Sequence, residues 1–196
     1  MTEITVKKRF LDTAIDTIIA GCRKNDLQSQ QKLYKLFYPD MIRIACRYAG
    51  DMDGAGIIYN NAMLKVFKNI HNYKEEGKPG SWIKTIVINS SIDYCKKKDL
   101  FKQSVVFSEV EEIALSPEVF NHVSGKEIQK LIAQLPPATA TVFNMHIYEG
   151  YTHKQIGEIL EISEGTSKWH VSEAKRLLKI KFEHFLQTTT RANAAG

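Results

Sequence analysis

Lys168, Trp169, Ser172, Glu173 and Lys175 fall on one side of a short helical stretch, and they are residue types that grip phosphates and read base edges. The stretch is 152–179, THKQIGEILEISEGTSKWHVSEAKRLLK. Val171, Ala174 and Leu178, three and then four residues apart, form an apolar line on the opposite side. Trp169 faces away from that line, where an aromatic ring seeks a partner surface. Upstream, Ile156, Ile159 and Leu160 recur at helical spacing behind Thr152 as N-cap. Glu161-Ile162-Ser163 interrupts that helix, and Ser163 offers its hydroxyl to the open N–H groups of the next. Gly157 puts a small residue where two steeply crossing helices approach closely. Two short helices across a tight turn make a helix-turn-helix pattern, whose second helix lies in the DNA major groove. A plain helical hairpin has the same outline, but the mixture of Lys, Ser and Glu on the exposed side favours DNA.

The rest of the chain must carry this unit. At 196 residues, 43% hydrophobic and 25% charged, it has room for one or two globular domains. The net charge of +5 is unevenly spread. Residues 1–103 hold 18 Lys/Arg against 11 Asp/Glu, residues 104–123 hold none against four, and residues 124–196 hold nine against seven. Two basic blocks flank an acidic strip, and basic blocks attract polyanions such as nucleic acid. Cys22, Cys46 and Cys95 are odd in number and lack CxxC or CxxH spacing, which argues for a reducing compartment without disulfides or zinc. Cys22 and Cys46 suit small core positions. His146, His153 and His184 also lack metal-ligand spacing, so no metal or cofactor is expected. No apolar run approaches the roughly 20 residues of a membrane span, and the N-terminus lacks a signal-peptide core. A cytoplasmic protein without direct membrane insertion is the expectation.

In chain order, residues 13–21 and 26–37 read as amphipathic helices, with Asp26 a cap and Leu27, Leu33, Leu36 and Phe37 facing inward. Pro39 is expected to open a further helix that stops at Gly50. Residues 51–70 form a longer helix, weakened early by Gly54 and Gly56, with an apolar line through Ile57, Met63, Leu64 and Phe67. The polar loop 71–80 leads into a helix over 81–102 capped by Ser81, with Ile83, Ile86, Val87 and Tyr94 facing a core. Residues 103–123 show no sustained period and read as a linker. Helices near 124–134 and 138–148, separated by Pro136-Pro137, precede the helix-turn-helix, and the tail from Gln187 is expected to be disordered. The fold class is all-α: two helical domains, 12–102 and 124–186, joined by the flexible acidic linker 103–123, the second containing the helix-turn-helix.

The segment LPPATATVFNMHIYEGYTHKQIGEILEISEGTSKWHVSEAKRLL resembles the fourth region of bacterial RNA polymerase sigma factors, with its Leu-Pro opening, Glu-Ile-Ala-type helix and Gly-Thr turn into a recognition helix. Residues 26–98, above all MLKVFKNI and GSWIKTIVINSSIDYCKK, resemble sigma region two. The two-domain layout is similar to the extracytoplasmic-function (ECF) group. Two departures stand out: Gln155-Ile156-Gly157 replaces Glu-Ile-Ala, and Gly56, Ile57, Asn60 and Asn61 stand where the family carries acidic residues and a Gln-Glu pair.

The resemblance implies a non-catalytic subunit whose partners are core RNA polymerase, promoter DNA and an inhibitory anti-sigma factor. It assigns −35 recognition to Thr166, Lys168, Trp169, His170, Ser172, Glu173, Lys175 and Arg176, with His170 and Arg176 as phosphate contacts. It assigns −10 capture and strand melting to Tyr73, Lys74, Lys78, Trp82, Lys84, Asn89, Lys96 and Lys97. Docking on the clamp of the polymerase largest subunit falls to Asn60, Asn61, Met63, Leu64, Lys65 and Phe67. Alternatives stand beside these roles. Trp82 is either a core aromatic or a DNA contact, and Arg176 either a phosphate contact or a solvated helix residue. The acidic strip is either a solvated spacer or a segment threading the channel that RNA later fills. The competing function is a sigma-like regulator whose docking helix serves another partner. A nuclease would want clustered carboxylates or histidines around a metal, and none is apparent in the sequence.

Overall fold

The computed structural model describes residues 14–74, 78–98 and 125–194, and every regular element among them is helical. The chain divides into two compact units, Met1–Ser91 and Ile92–Gly196. The acidic strip expected as a linker, residues 103–123, lies outside the described residues.

In the first unit, α1 (14–23) buries Ile19 and Cys22. The Asp26 carboxylate then accepts the Ser29 N–H at 2.9 Å and caps α2, Leu27–Ala49. Contrary to expectation, α2 runs unbroken through Pro39. Proline removes one helical hydrogen bond at a cost of about 3 kcal/mol. Burial of Met41, Ile42, Ile44, Ala45 and Tyr48 beyond it offsets that cost. Gly50, at φ 82°, ends the helix by donating to the Cys46 carbonyl, and Asp51 caps α3, Met52–Asn69, by accepting the Gly54 N–H at 2.6 Å.

The α2–α3 hairpin closes on Leu33, Ile42 and Ala45 with Ala55, Ile58, Tyr59, Ala62, Met63 and Val66. This corrects the expected apolar lines. Ile57 and Leu64 on α3 point outward, as do Leu27 and Leu36 on α2, and Phe67 and Phe37 are half-buried. Two stripes at helical spacing coexist on α3, and the packing partner decides which is covered. Gly54 lies in the buried stripe. A short 3₁₀ turn, Ile70–Asn72, leads towards α4, Pro79–Lys97, whose residues from Ile92 onward belong to the second unit. The α4 helix starts two residues ahead of the expected Ser81 cap, with proline in its first turn and the Lys78 carbonyl accepting from Ser81. Ile83 and Val87 are buried as expected, and Ile86 and Tyr94 are half-buried. Cys22 and Cys95 are buried thiols outside any disulfide, whereas Cys46 is only half-buried, its sulfur 3.4 Å from that of Met52.

In the second unit, α5 (Gly125–Ile132) and α6 (Pro137–Phe143) pack on the long C-terminal helix through Ile132, Leu135, Ala140, Phe143, Ala174 and Leu178. The α6 helix continues as a wider π turn over Asn144–Tyr148, matching the expected extent. Then come α7, His153–Leu160, and α8, Glu164–Ala194. The tail from Gln187, expected to lack structure, continues α8 as far as Ala194. No described helix is long and apolar enough to cross a membrane.

Candidate nucleic-acid interface

Both caps of the helix-turn-helix form as the sequence implies. The Thr152 hydroxyl accepts the Gln155 N–H at 3.2 Å, and the Gln155 side chain accepts the Thr152 N–H at 2.9 Å. The Ser163 hydroxyl accepts the Thr166 N–H at 2.9 Å and opens α8. Between them Glu161 takes a left-handed conformation, φ 59°. A Cβ on Gly157 would stand 2.8 Å from the Ile162 carbonyl oxygen, so the close approach is helix to turn backbone. Ile156 and Leu160 of α7 and Val171, Ala174 and Leu178 of α8 are buried, and Ile159 is half-buried.

The outer side of α8 carries charge that is already organised. The Lys168 ammonium meets the Glu164 carboxylate at 2.7 Å, with both side chains more than half exposed. The Arg176 guanidinium donates twice to Glu173, Nε to Oε2 at 2.7 Å and Nη2 to Oε1 at 2.8 Å. Ser172, Lys175 and Thr166 are half-buried, and the half-buried Trp169 ring packs edge-on against His170 at 5.0 Å.

His170 itself is only 3% exposed. Its Nδ1 lies 3.0 Å from the Thr139 hydroxyl of α6, and burial pushes its pKa down to about 4 against the opposing pull of Glu173. The structure therefore removes His170 from the surface set: a neutral, enclosed imidazole ties α8 to α6 and cannot reach a phosphate. Its position four residues before Ala174 was the signal for burial. Ser167 was missed, and it is linked to His153 and through it to His146. Ser167 is fully buried with its hydroxyl 3.0 Å from His153 Nδ1, and the His146 and His153 rings stack at 4.2 Å. Burial, then the neighbouring His146 and Lys168, lower the His153 pKa.

In the first unit, Ile57, Asn60, Asn61 and Leu64 line the exposed side of α3 at helical spacing, with Lys65 beside them. Asn60 Oδ1 accepts the Tyr34 hydroxyl at 2.8 Å, and the Tyr59 hydroxyl donates to the Tyr34 carbonyl at 2.7 Å within a Tyr34–Tyr38–Tyr59 cluster. Met63 is 1% exposed, so it belongs to the core and drops out of the docking set. Tyr73 is also buried: its carbonyl accepts from Arg23 at 2.8 Å and its ring lies 5.2 Å from that of Trp82. A ring packed in this way cannot receive an unstacked base, which corrects its assignment. Lys74, Lys78, Asn89 and Lys97 are exposed, and Trp82, Lys84 and Lys96 are half-buried. Among the described residues, no group of three or more His, Cys, Asp or Glu side chains could hold a metal ion.

Residues 33–101 match the family Sigma-70 region 2 and residues 125–178 match Sigma-70, region 4. The chain belongs to the sigma-70 family. Its relatives place this sigma chain in the ECF group. It is 24% identical over 189 residues to the ECF RNA polymerase sigma factor SigW of Bacillus subtilis, covering 90% of this chain and 96% of SigW. It is 21% identical over 158 residues to the ECF RNA polymerase sigma factor SigE of Mycolicibacterium smegmatis, covering 78% of this chain but 61% of SigE. The chain is also similar to the sigma factor RpoE of Bartonella quintana, solved in complex with the anti-sigma factor NepR, at 18% identity and a TM-score of 0.44 over 76% of this chain and 93% of that one. In family terms, α3 and α4 fall in region two, and the helix-turn-helix of α7 and α8 falls in region four.

Proposed function

We infer that this chain is an ECF sigma factor that binds core RNA polymerase and directs promoter-specific initiation of transcription. The observation that carries the reading is the occurrence of both sigma regions in order, the second folded as a capped helix-turn-helix with an outward polar side. On this reading the domains run 12–102 and 124–186 with 103–123 between them, and the chain has no active site because polymerization belongs to its partner.

Region four engages the −35 element through α8, with Lys168, Trp169, Ser172, Lys175 and Arg176 on the DNA side and Thr166 at the start of the helix. Region two docks on the largest-subunit clamp through Asn60, Asn61, Leu64, Lys65 and Phe67. Lys74, Lys78, Trp82, Lys84, Asn89, Lys96 and Lys97 hold the melted −10 strand. Neutral amides at Asn60 and Asn61 supply hydrogen bonds without ion pairs, and exposed ion pairs contribute only about 0–1 kcal/mol each. Their replacement is therefore compatible with docking. An anti-sigma factor completes the expected set of partners.

The test is to mix purified protein with core RNA polymerase and follow comigration and initiation from a selected promoter. Comigration with initiation at a defined start is the expected result. Promoter binding without comigration would overturn the reading in favour of a free DNA-binding regulator.

A further inference from the structure

The Glu173–Arg176 pair has a geometry that neither residue's sequence assignment contained. The Glu173 side chain is 15% exposed and that of Arg176 is 41% exposed. The carboxylate sits low on the flank of α8, and the guanidinium reaches up to the outer side. Along α8 the buried positions are Ser167, His170, Val171, Ala174 and Leu178. At 100° per residue, Arg176 falls nearly opposite the middle of that set, with Ser172 and Trp169 beside it. The two short bonds use Nε–H and one Nη2–H, the inner edge of the guanidinium. What remains is the outer edge: the Nη1 hydrogens and the second Nη2 hydrogen, which include two parallel donors in a fixed plane.

Two consequences follow. A guanidinium held at one edge loses its freedom to swing, so its other edge keeps a defined direction. The carboxylate also cancels most of the cation's long-range field, leaving short-range donors that need a matching acceptor pair. Phosphate attraction depends mainly on charge, whereas guanine O6 and N7 offer two acceptors that match parallel N–H donors. Neutralising the pair thus shifts the balance from backbone towards base edge. The Lys168–Glu164 pair is neutralised in the same way, but a rotating ammonium on a flexible stem has no such plane.

We propose that Glu173 is a positioning residue that holds Arg176 so that the outer edge of its guanidinium reads a guanine in the −35 element. The proposal rests on the reading of α8 as the DNA-facing helix. Glu173 itself makes no base contact, because its two oxygens are turned to Arg176.

The test uses the full chain assembled with core RNA polymerase and a duplex library randomised across the −35 region. Single-base variants of the recovered sequence are then measured in a salt series. The wild type prefers guanine at one position by about tenfold or more, the discrimination of a bidentate pair. Glu173→Gln and Arg176→Lys each bring that position close to parity and leave the other positions unchanged. Arg176→Lys leaves the half-buried carboxylate in place, so it reports on the guanidinium even if Glu173→Gln folds poorly. Retention of the guanine preference in Glu173→Gln overturns the positioning role. Retention of the guanine preference in Arg176→Lys, with affinity and salt slope close to wild type because the charge is kept, overturns base reading in favour of phosphate. Recovery of no −35 sequence by the wild type would sink the DNA-facing reading of α8 itself.

Discussion

The outward sides of α3 and α8 differ in their chemistry, and so in the partners that they suit. On α3 the middle of the exposed stripe is uncharged and partly apolar, Ile57, Asn60, Asn61 and Leu64, with Asp53 and Lys68 at its ends, Lys65 beside it and Leu64 65% exposed. On α8 it is charged, and carboxylates already engage two of its cations, Lys168 and Arg176. An apolar stripe interspersed with amides suits another protein surface, where area is buried and hydrogen bonds are few. A cationic side tempered by carboxylates suits DNA, where unrestrained charge grips any sequence equally. On the proposed roles, selectivity on α3 would come from shape, and on α8 from the direction of donors.

The sharpest way to break this contrast is to substitute neighbours on α3. Met63→Ala should destabilise the first unit by about 2–5 kcal/mol, the cost of a cavity in the α2–α3 core, as read from urea unfolding. Leu64→Asp should leave stability within about 0.5 kcal/mol while weakening core polymerase binding severalfold. If Leu64→Asp bound polymerase normally, the α3 stripe would not be the docking surface.

On the other helix, acid should act through His170. Its pKa is held near 4, below the ordinary 6.5, so the unfolded chain takes up its proton first as pH falls. The stability it contributes is complete above about 6.5 and is lost as pH falls towards 4, by up to about 3 kcal/mol. Unfolding midpoints of the wild type between pH 7 and 4.5 should fall more steeply than those of His170→Gln. Parallel slopes would remove His170 as the source.

Ser163→Ala should cost about 1 kcal/mol by leaving the first turn of α8 uncapped, visible as a lower melting temperature. Lys168→Ala should have the smallest effect on folding, since its ion pair is exposed. It should weaken −35 binding and flatten the salt dependence by about one unit if the ammonium exchanges Glu164 for a phosphate. An unchanged slope would leave Lys168 paired within its own helix.

Much of this architecture was legible because local chemistry determines it. Asp26, Thr152 and Ser163 cap helices through bonds spanning three residues, and Gly50 stops one through its own backbone. What depended on distant partners was not legible. Period alone could not choose between the Ile57–Leu64 stripe and the Ile58–Ala62–Val66 stripe of α3, because burial is set by α2. Pro39 reads as a break until the apolar residues on both sides are seen to share one core. The site divides in the same way. Lys168, Ser172 and Arg176 follow from being opposite the buried line, whereas His170 and Tyr73 have surface-compatible chemistry and are enclosed by Thr139 and Trp82.

The contact between Gly157 and the turn has a mechanical consequence. A Cβ at position 157 would meet the Ile162 carbonyl oxygen, so the turn between α7 and α8 leaves no room for a side chain at that point. Even a methyl group at position 157 would act as a wedge, displacing the turn and with it the angle between α7 and α8.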